Sequence, residues 1–167
     1  CKTCGVNVAY IYRFFSDKED LIAKSFADAD HRFLEVILDN YTVLNYESID
    51  YESRCHVLFM KCWEYLMQHP AELTFYVRYY YSSSFQKYAY KEHMERYIGL
   101  FEKMKTAFPA TTDVRLVMHH ILDTLLGEAM KQVSDPQEDS NTAATKTFFL
   151  IFSVVKSYVN KDKLSRA

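Results

Sequence analysis

Apolar and polar positions alternate along this chain with the period of an α-helix. Between residues 18 and 40 the apolar side chains recur every three or four positions, and they are Leu21, Ile22, Phe26, Phe33 and Ile37, followed by Tyr41. The charged residues on the other side are Lys24, Asp28, Asp30 and Glu35. Spacing of this kind separates an apolar face of a helix from a polar one. The pattern therefore predicts a long amphipathic helix over 18–40 with Asp30 on its polar face.

The same periodicity predicts five further helices, separated by polar or proline-containing breaks. Their ranges are 51–68, 71–81, 85–108, 113–133 and 142–160. Pro70 separates two of them, because proline disfavours helical backbone in the residue before it and suits the first position of a new helix. The chain has only 3 Gly and 3 Pro in 167 residues, which argues against a turn-rich β protein. We therefore expect an all-α fold.

The same periodicity predicts which face of its helix each of several charged residues occupies. Arg54 belongs to a narrow polar stripe on a helix that is otherwise apolar, so we expect that helix to be buried on most sides. Glu92 and Arg96 are four residues apart, which is the spacing of an ion pair on the outer face of a helix.

Residues 5–21 predict two short helical pieces joined by a tight turn. Gly5 suits the turn because glycine adopts positive φ at little cost. The apolar positions of the first piece, about one turn apart, are Val6, Ile11 and Phe15. Ser16 or Asp17 is a suitable N-cap for the helix that follows. This arrangement is typical of a helix-turn-helix DNA reader.

The same stretch resembles the end of the DNA-binding domain of TetR-family transcriptional regulators. The positions that match the family pattern are Gly5, Val6, Ile11, Tyr12, Phe15, Lys18, Glu19 and Leu21. The positions that depart from it are Cys4, Asn7, Tyr10 and Phe14. The resemblance implies a partial helix-turn-helix domain over 1–27 and a helical ligand-binding and dimerisation domain over 28–167. A complete DNA-binding unit has two earlier helices, so we expect about 30–45 encoded residues before Cys1.

The resemblance implies a repressor that a small molecule releases from a palindromic operator in double-stranded DNA. The candidates for the groove face are Asn7, Ala9, Tyr10 and Arg13, and those for phosphate contacts are Tyr12 and Lys18. Amide and guanidinium groups read base edges, whereas hydroxyl and ammonium groups suit phosphates. The net charge is −2, so DNA contact requires a local basic patch. Alternatively, Tyr10, Tyr12 and Phe14 simply pack inside a small helical unit.

The resemblance also implies an effector pocket among the later helices. The candidate lining residues are Phe59, Trp63, Phe75, Tyr76, Tyr80, Tyr97, Phe101 and Met118. Cavities lined by aromatic rings and methionine suit planar, amphipathic or cationic molecules. The alternative is a dense aromatic core without a cavity. An effector would act by biasing the helix over 18–40, which changes the relative position of two DNA-binding units.

The last two predicted helices, 113–133 and 142–160, carry apolar faces too broad for a single antiparallel neighbour. Such faces either lie at the centre of the core or meet a second copy of the chain. The resemblance implies a homodimer in which these helices form a four-helix bundle with their copies. A symmetric dimer would place its two reading helices about 34–36 Å apart, or a multiple of that distance. The alternative is burial of both faces within one chain.

Cysteine spacing and hydropathy favour a cytoplasmic protein with no membrane partner. Cys1 and Cys4 form a single C-x-x-C with no second ligand pair at zinc spacing, and Cys55 and Cys62 lie two turns apart on a core face. We expect reduced thiols, no metal and no cofactor. We also expect no signal peptide, and the longest apolar run, 148–155, is too short to span a bilayer.

Residues typical of catalysis give little support for an enzyme. His119 and Asp123 are four residues apart and could form an acid–base couple, although such pairs are more often structural hydrogen bonds. Known nucleophile, phosphate-loop and paired-histidine motifs do not occur in the sequence. The stronger rival is a helical small-molecule or partner-binding module without DNA-binding activity. The residues encoded before Cys1 would distinguish it from a repressor.

Overall fold

The computed structural model describes residues 14–164, and its regular structure is helical. The elements are α1 (Lys18–Asn40), a 3₁₀ helix (Tyr41–Asn45), α2 (Tyr51–Gln68), α3 (Pro70–Tyr80), α4 (Ser83–Tyr88), α5 (Tyr90–Lys105), α6 (Val114–Ser134), α7 (Ser140–Val155) and α8 (Lys161–Leu164). No strand occurs between residues 14 and 164, which confirms the all-α prediction for that range. To cross a bilayer, a helix would have to be longer and more apolar than any of those described here.

Acidic side chains begin four of the long helices. They accept hydrogen bonds from backbone N–H groups that lack a partner at a helix start, and they are Asp17, Asp50, Asp113 and Asp139. At α1 the bonding is reciprocal, because Asp17 Oδ1 accepts from the Asp20 N–H at 2.8 Å and Asp20 Oδ2 accepts from the Ser16 N–H at 2.9 Å. The Ser16 N–H, together with Lys24, lowers the pKa of Asp20. The N-cap of α1 is therefore Asp17, one of the two residues predicted for that position.

Helix α1 packs against α2, α3, α4 and α5, and α6 packs against α2, α3, α5 and α7. The result is one continuous apolar core, whose bulkiest fully buried members include Phe26, Trp63, Phe85 and Tyr97. The Phe26 ring centroid lies 4.8 Å from that of Tyr76 and 5.3 Å from that of Phe85. Contacts between rings at such distances explain why so many aromatic residues fit into a small helical core.

The predicted helix over 85–108 is wrong, because the chain forms two helices there with a break at Ala89. Phe85, Ala89, His93 and Tyr97 are all buried, and each is four residues from the next. In an unbroken helix every step of four residues would turn the side chain by about 40°, so this set would rotate out of the core. The break, where φ is −124° and ψ is −22°, keeps all four directed inward.

The last long helix ends earlier than predicted. Helix α7 stops at Val155 rather than near residue 160, and the Asn160 N–H donates a 2.9 Å hydrogen bond to the Ala107 carbonyl oxygen. Val159 is buried beside this connection. Packing of the chain against the segment after α5 therefore ends the helix, which the apolar pattern alone could not indicate.

A buried carboxylate joins α1 to α3 and α5. The sequence placed Asp30 on the polar face of its helix, but in the structure Asp30 has no exposed surface. The Tyr76 hydroxyl donates to Asp30 Oδ1 at 2.9 Å, His93 Nδ1 lies 3.0 Å from Asp30 Oδ2, and Arg96 Nη1 donates to the same oxygen. The predicted outer pair between Glu92 and Arg96 is therefore wrong, because Arg96 turns inward to Asp30.

The hydrogen bonds around Asp30 fix the position of α1 because a buried carboxylate is stable only when its partners are in place. Burial raises the pKa of Tyr76 well above its ordinary value, and the nearby Tyr97 and Asp30 raise it further. The Tyr76 hydroxyl therefore keeps its proton and remains a donor. At the edge of the same contact, Arg32 Nη2 donates to Glu72 Oε2 at 2.6 Å. Helices α1, α3 and α5 are thus joined by directional bonds as well as by apolar packing.

We expect Asp30→Ala to lower the free energy of unfolding by about 3–5 kcal/mol, because it leaves the buried His93 and the partly buried Arg96 without their carboxylate. The matched control is Asp28→Ala on the same helix, where an exposed pair with Arg32 is lost and the expected change is below about 1 kcal/mol. Denaturant unfolding followed by circular dichroism measures both variants. Equal losses in the two variants would contradict the role given to Asp30.

Candidate functional site

An apolar cavity of about 140 Å³ lies inside the helical domain. Its walls come from the end of α1, the 3₁₀ helix, α2, α5, α6 and α7, together with Phe108 after α5. Helix α2 contributes most of one side, through Tyr51, Cys55, Leu58, Phe59 and Cys62. Each of these positions has another one three or four residues away, so they form one face of α2.

Two of the eight predicted effector-binding residues line this cavity, namely Phe59 and Met118. Trp63 lies behind Phe59, with ring centroids 6.1 Å apart, and its Nε1 donates to Ser140 Oγ at 2.9 Å. Trp63 also borders a separate polar cleft between α6 and α7. The indole therefore lies next to the cavity wall without forming it.

The other five predicted residues lie elsewhere in the core. Tyr76, Tyr80 and Tyr97 surround the Asp30 cluster, with Tyr80 and Tyr97 ring centroids 5.7 Å and 4.6 Å from that of His93. Phe101 packs beside Tyr97, and Phe75 stacks on Tyr79. These rings form a dense aromatic core around Asp30, and none of the five lines the cavity.

Most of the cavity wall was not predicted from the sequence. Tyr51, Cys55, Leu58 and Cys62 share a helix face with Phe59, and that spacing is visible in the sequence. The predicted lining consisted of aromatic residues and one methionine, whereas three of these four side chains are aliphatic or thiol-bearing. A search for inward positions on the helices that follow the polar break at residues 42–50 would have found them.

The cavity lining carries no ionised side chain among the residues that the structure describes. Burial raises the pKa of the Cys62 thiol to about 12. Burial also raises the pKa of the Cys55 thiol to about 12, because its effect is larger than that of the hydrogen bond to Tyr51, which lowers the pKa. Burial likewise raises the pKa of Tyr51 far above its ordinary value. All three groups are neutral near pH 7, and a cationic effector would meet no counter-charge on these walls.

A buried arginine lies behind the 3₁₀-helix end of the cavity and does not itself line it. Arg54 is only 3% exposed, although the sequence placed it in a polar stripe. Its Nη1 donates to the Leu44 carbonyl oxygen at 2.7 Å, and its guanidinium carbon lies 5.3 Å from the centre of the Tyr51 ring. Both Leu44 and Tyr51 also line the cavity. The Arg54 Nε is buried and has no acceptor within the described range.

The predicted DNA-reading residues lie almost entirely outside the described range. Asn7, Ala9, Tyr10, Tyr12 and Arg13 all precede residue 14. The sixth candidate is Lys18, which is exposed at the first position of α1. A cationic side chain there is accessible to a partner in solution.

An exposed apolar surface of this protein consists of large apolar side chains on α6, on α7 and just after α7. Leu116, Phe149, Leu150, Val154 and Tyr158 each expose at least 40% of their surface. These residues belong to the helices for which the sequence predicted a broad apolar face. The opposite face of the same helices, which includes Leu125 and Phe148, is buried in the core.

Within residues 14–164 no metal-binding group is assembled, and the acid–base couple suggested by the sequence does not form. No set of three or more His, Cys, Asp or Glu side chains there could hold a metal ion. The candidate couple of His119 and Asp123 does not form, because the Asp123 carboxylate accepts a 2.8 Å hydrogen bond from the Tyr81 hydroxyl instead.

We expect the two cavity thiols to react slowly in the folded protein. The reactive species is the thiolate, and a pKa of about 12 in place of the usual 8.5 lowers its fraction at mildly alkaline pH roughly a thousandfold. The measurement is the rate of reaction with Ellman's reagent in a variant with Cys1 and Cys4 replaced by serine, native and in denaturant. Equal rates in the two states would show that the cavity is open to reagent and water.

Comparisons with protein-family models, curated proteins and solved structures gave no match for this chain. The comparisons therefore assign neither a family nor a function. What the chain does is inferred from its own residues and from the geometry of α1, the cavity and the exposed surface.

Proposed function

We propose that this protein is a DNA-binding transcriptional regulator of the TetR type, which a small effector releases from its operator. The observation that supports the proposal is the position of the two ends of α1. This helix begins directly after the stretch that resembles a recognition helix, and its other end reaches the cavity wall at Ile37. At 23 residues it extends about 34 Å, so one rigid element connects the two proposed sites.

The proposed mechanism is a shift between two positions of α1. An effector in the cavity contacts Ile37 and the 3₁₀ helix that follows α1, and so favours one position of the helix end. The bonds of Asp30 to α3 and α5 make α1 move together with those helices. The recognition segment at the start of α1 then changes its position relative to that of a second copy, and the pair no longer matches the operator.

The second copy is expected to dock on the exposed apolar surface of α6 and α7. Leu116, Val154 and Tyr158 are exposed and border one shallow cleft, and clusters of exposed apolar residues often mark an interface. A two-fold axis between paired α6 and α7 helices would bury this surface in a four-helix bundle. The same axis would produce the two recognition segments that a palindromic operator requires.

A helical binding module without DNA-binding activity is the second candidate. It is favoured by the cavity, which depends on no residue before Ile37. Such a module would retain effector binding and dimerisation but show no preference for any DNA sequence. We assign no catalytic role to the chain.

The DNA proposal is tested with the chain as encoded, including any residues that precede Cys1. Selection from a random duplex library identifies a binding sequence, and fluorescence anisotropy measures the affinity. We expect Tyr12→Phe, Arg13→Ala and Lys18→Ala each to weaken binding by about tenfold, and Lys18→Ala to reduce the salt dependence by about one ion. The control is Lys61→Ala, which removes an exposed lysine on α2. Wild-type affinity in all three variants, or no selected sequence, would refute DNA reading by this segment.

The dimer proposal is tested by placing a charge in the exposed apolar surface. We expect Leu150→Glu to convert a dimer to a monomer, because two carboxylates would be buried against apolar groups at the two-fold axis. Sedimentation velocity at micromolar concentration measures the change. Ile98→Glu is the matched control, since Ile98 is 54% exposed on α5, away from this surface. A wild-type protein that sediments as a monomer would overturn the proposal.

A further inference from the structure

The side chains that line the cavity indicate which class of molecule it takes. Among the residues that the structure describes, the lining includes no acidic, basic or amide side chain. Its polar groups are two thiols and two phenolic hydroxyls, which belong to Cys55, Cys62, Tyr41 and Tyr51. A charged or strongly hydrated group placed here would lose its water and gain no partner that replaces it. The lining therefore suits an apolar molecule.

The four polar groups of the lining do not change this conclusion near pH 7. Burial raises the pKa of Tyr41 above its ordinary value, and the thiols and the Tyr51 hydroxyl are neutral as described above. Tyr51 and Cys55 also form a hydrogen bond with each other. Neither an anion nor a cation would therefore meet an opposite charge on the described walls of the cavity.

The volume of the cavity sets a limit on the size of its ligand. That volume is about 140 Å³. An engineered apolar cavity of roughly 150 Å³ in another protein stays dry and admits benzene. Because the two spaces are similar in volume and in the character of their walls, the cavity described here can hold one six-membered ring with a short substituent.

We propose that the cavity binds an uncharged hydrocarbon about the size of one six-membered ring, held between α2, α5, α6 and α7. The driving force is the removal of the ligand's apolar surface from water. The ligand would also border Ile37 at the end of α1, which is the contact that the proposed mechanism requires. This inference names the effector class of the proposed regulator, and it rests on the proposed function only for its consequence at DNA.

Toluene is the probe that represents this class. Aromatic rings and sulfur atoms form much of the lining, and both make favourable contacts with a bound aromatic ring. Benzoate and benzylamine have the same ring but carry a negative and a positive charge at pH 7. Isothermal titration of the complete chain with the three compounds, in the absence of DNA, tests the charge limit. We expect toluene to bind at least tenfold more tightly than either charged compound.

Biphenyl tests the size limit in the same titration. Its second ring makes it more apolar than toluene, so non-specific partition into the protein would favour biphenyl. Two rings exceed the space available in a cavity of about 140 Å³. We therefore expect biphenyl to bind at least tenfold more weakly than toluene.

Methionine methyl groups report where the ligand lies. Of the six methionines in the chain, Met104 and Met118 line the cavity and the other four do not. A bound aromatic ring shifts the magnetic resonances of the methyl groups that it contacts. In protein labelled with methyl-¹³C-methionine, we expect toluene to shift the signals of Met104 and Met118 and to leave the other four unchanged. Replacing each methionine in turn with leucine assigns the signals.

A variant that fills the cavity gives a second test of location. Ile121→Phe adds volume to a lining position and is expected to weaken toluene binding at least tenfold. Ile98→Phe makes the same change at an exposed position of α5 and is expected to leave the affinity unchanged. If Ile121→Phe does not fold, the methionine signals of the wild-type protein decide the location.

The proposal is overturned if toluene does not bind, or if benzoate, benzylamine or biphenyl binds as tightly as toluene. It is also overturned if toluene shifts neither the Met104 nor the Met118 signal, because the ligand would then lie outside the cavity. Since DNA is absent from these experiments, their failure would leave the DNA-binding proposal standing. Conversely, toluene binding by a protein that selects no DNA sequence would refute the regulator and keep the ligand class.

Discussion

The bonding of Asp30 is the constraint on which the arrangement of this protein depends. A carboxylate with no exposed surface must be surrounded by donors, and Tyr76, His93 and Arg96 supply them from two other helices. Apolar packing alone would permit α1 to slide or turn on its neighbours, because many apolar contacts are nearly equivalent. Directional bonds to one carboxylate permit a single register. The long first helix is thereby part of a rigid body with α3 and α5.

Because α1 is rigid, a molecule in the cavity is proposed to affect the segment at the other end of that helix. Ile37 lies about two turns beyond Asp30 on α1 and forms part of the cavity wall, while Lys18 begins the same helix at its other end. A molecule that displaces the cavity end of α1 must either strain the Asp30 bonds or move α3 and α5 as well. Either response carries the change toward the segment proposed to read DNA. If the connection were flexible, a displacement of the cavity end would not reach the start of α1.

The sequence predicted the helices well and the polar interior poorly. The ranges 18–40 and 51–68 were correct because both helices begin at an aspartate cap and end at a polar or proline-containing break. Asp30 and Arg54 were misplaced because helical periodicity shows which side of a helix is polar, but not whether another element covers that side. The division at Ala89 was missed for a related reason, since only packing reveals that four-residue steps must all face inward. Cavity walls are unpredictable from residue type, because a cavity is defined by what the neighbouring helices fail to fill.

We propose that occupation of the cavity and binding of DNA are coupled through α1. The most direct test is the affinity of the complete protein for its selected duplex, measured by anisotropy with and without a saturating apolar ligand that changes the fluorescence of Trp63 beside the cavity wall. We expect the ligand to raise the dissociation constant at least tenfold, and Ile121→Phe, which fills the cavity, to abolish this response. An unchanged dissociation constant, in protein that calorimetry shows to be saturated with that ligand, would contradict the coupling.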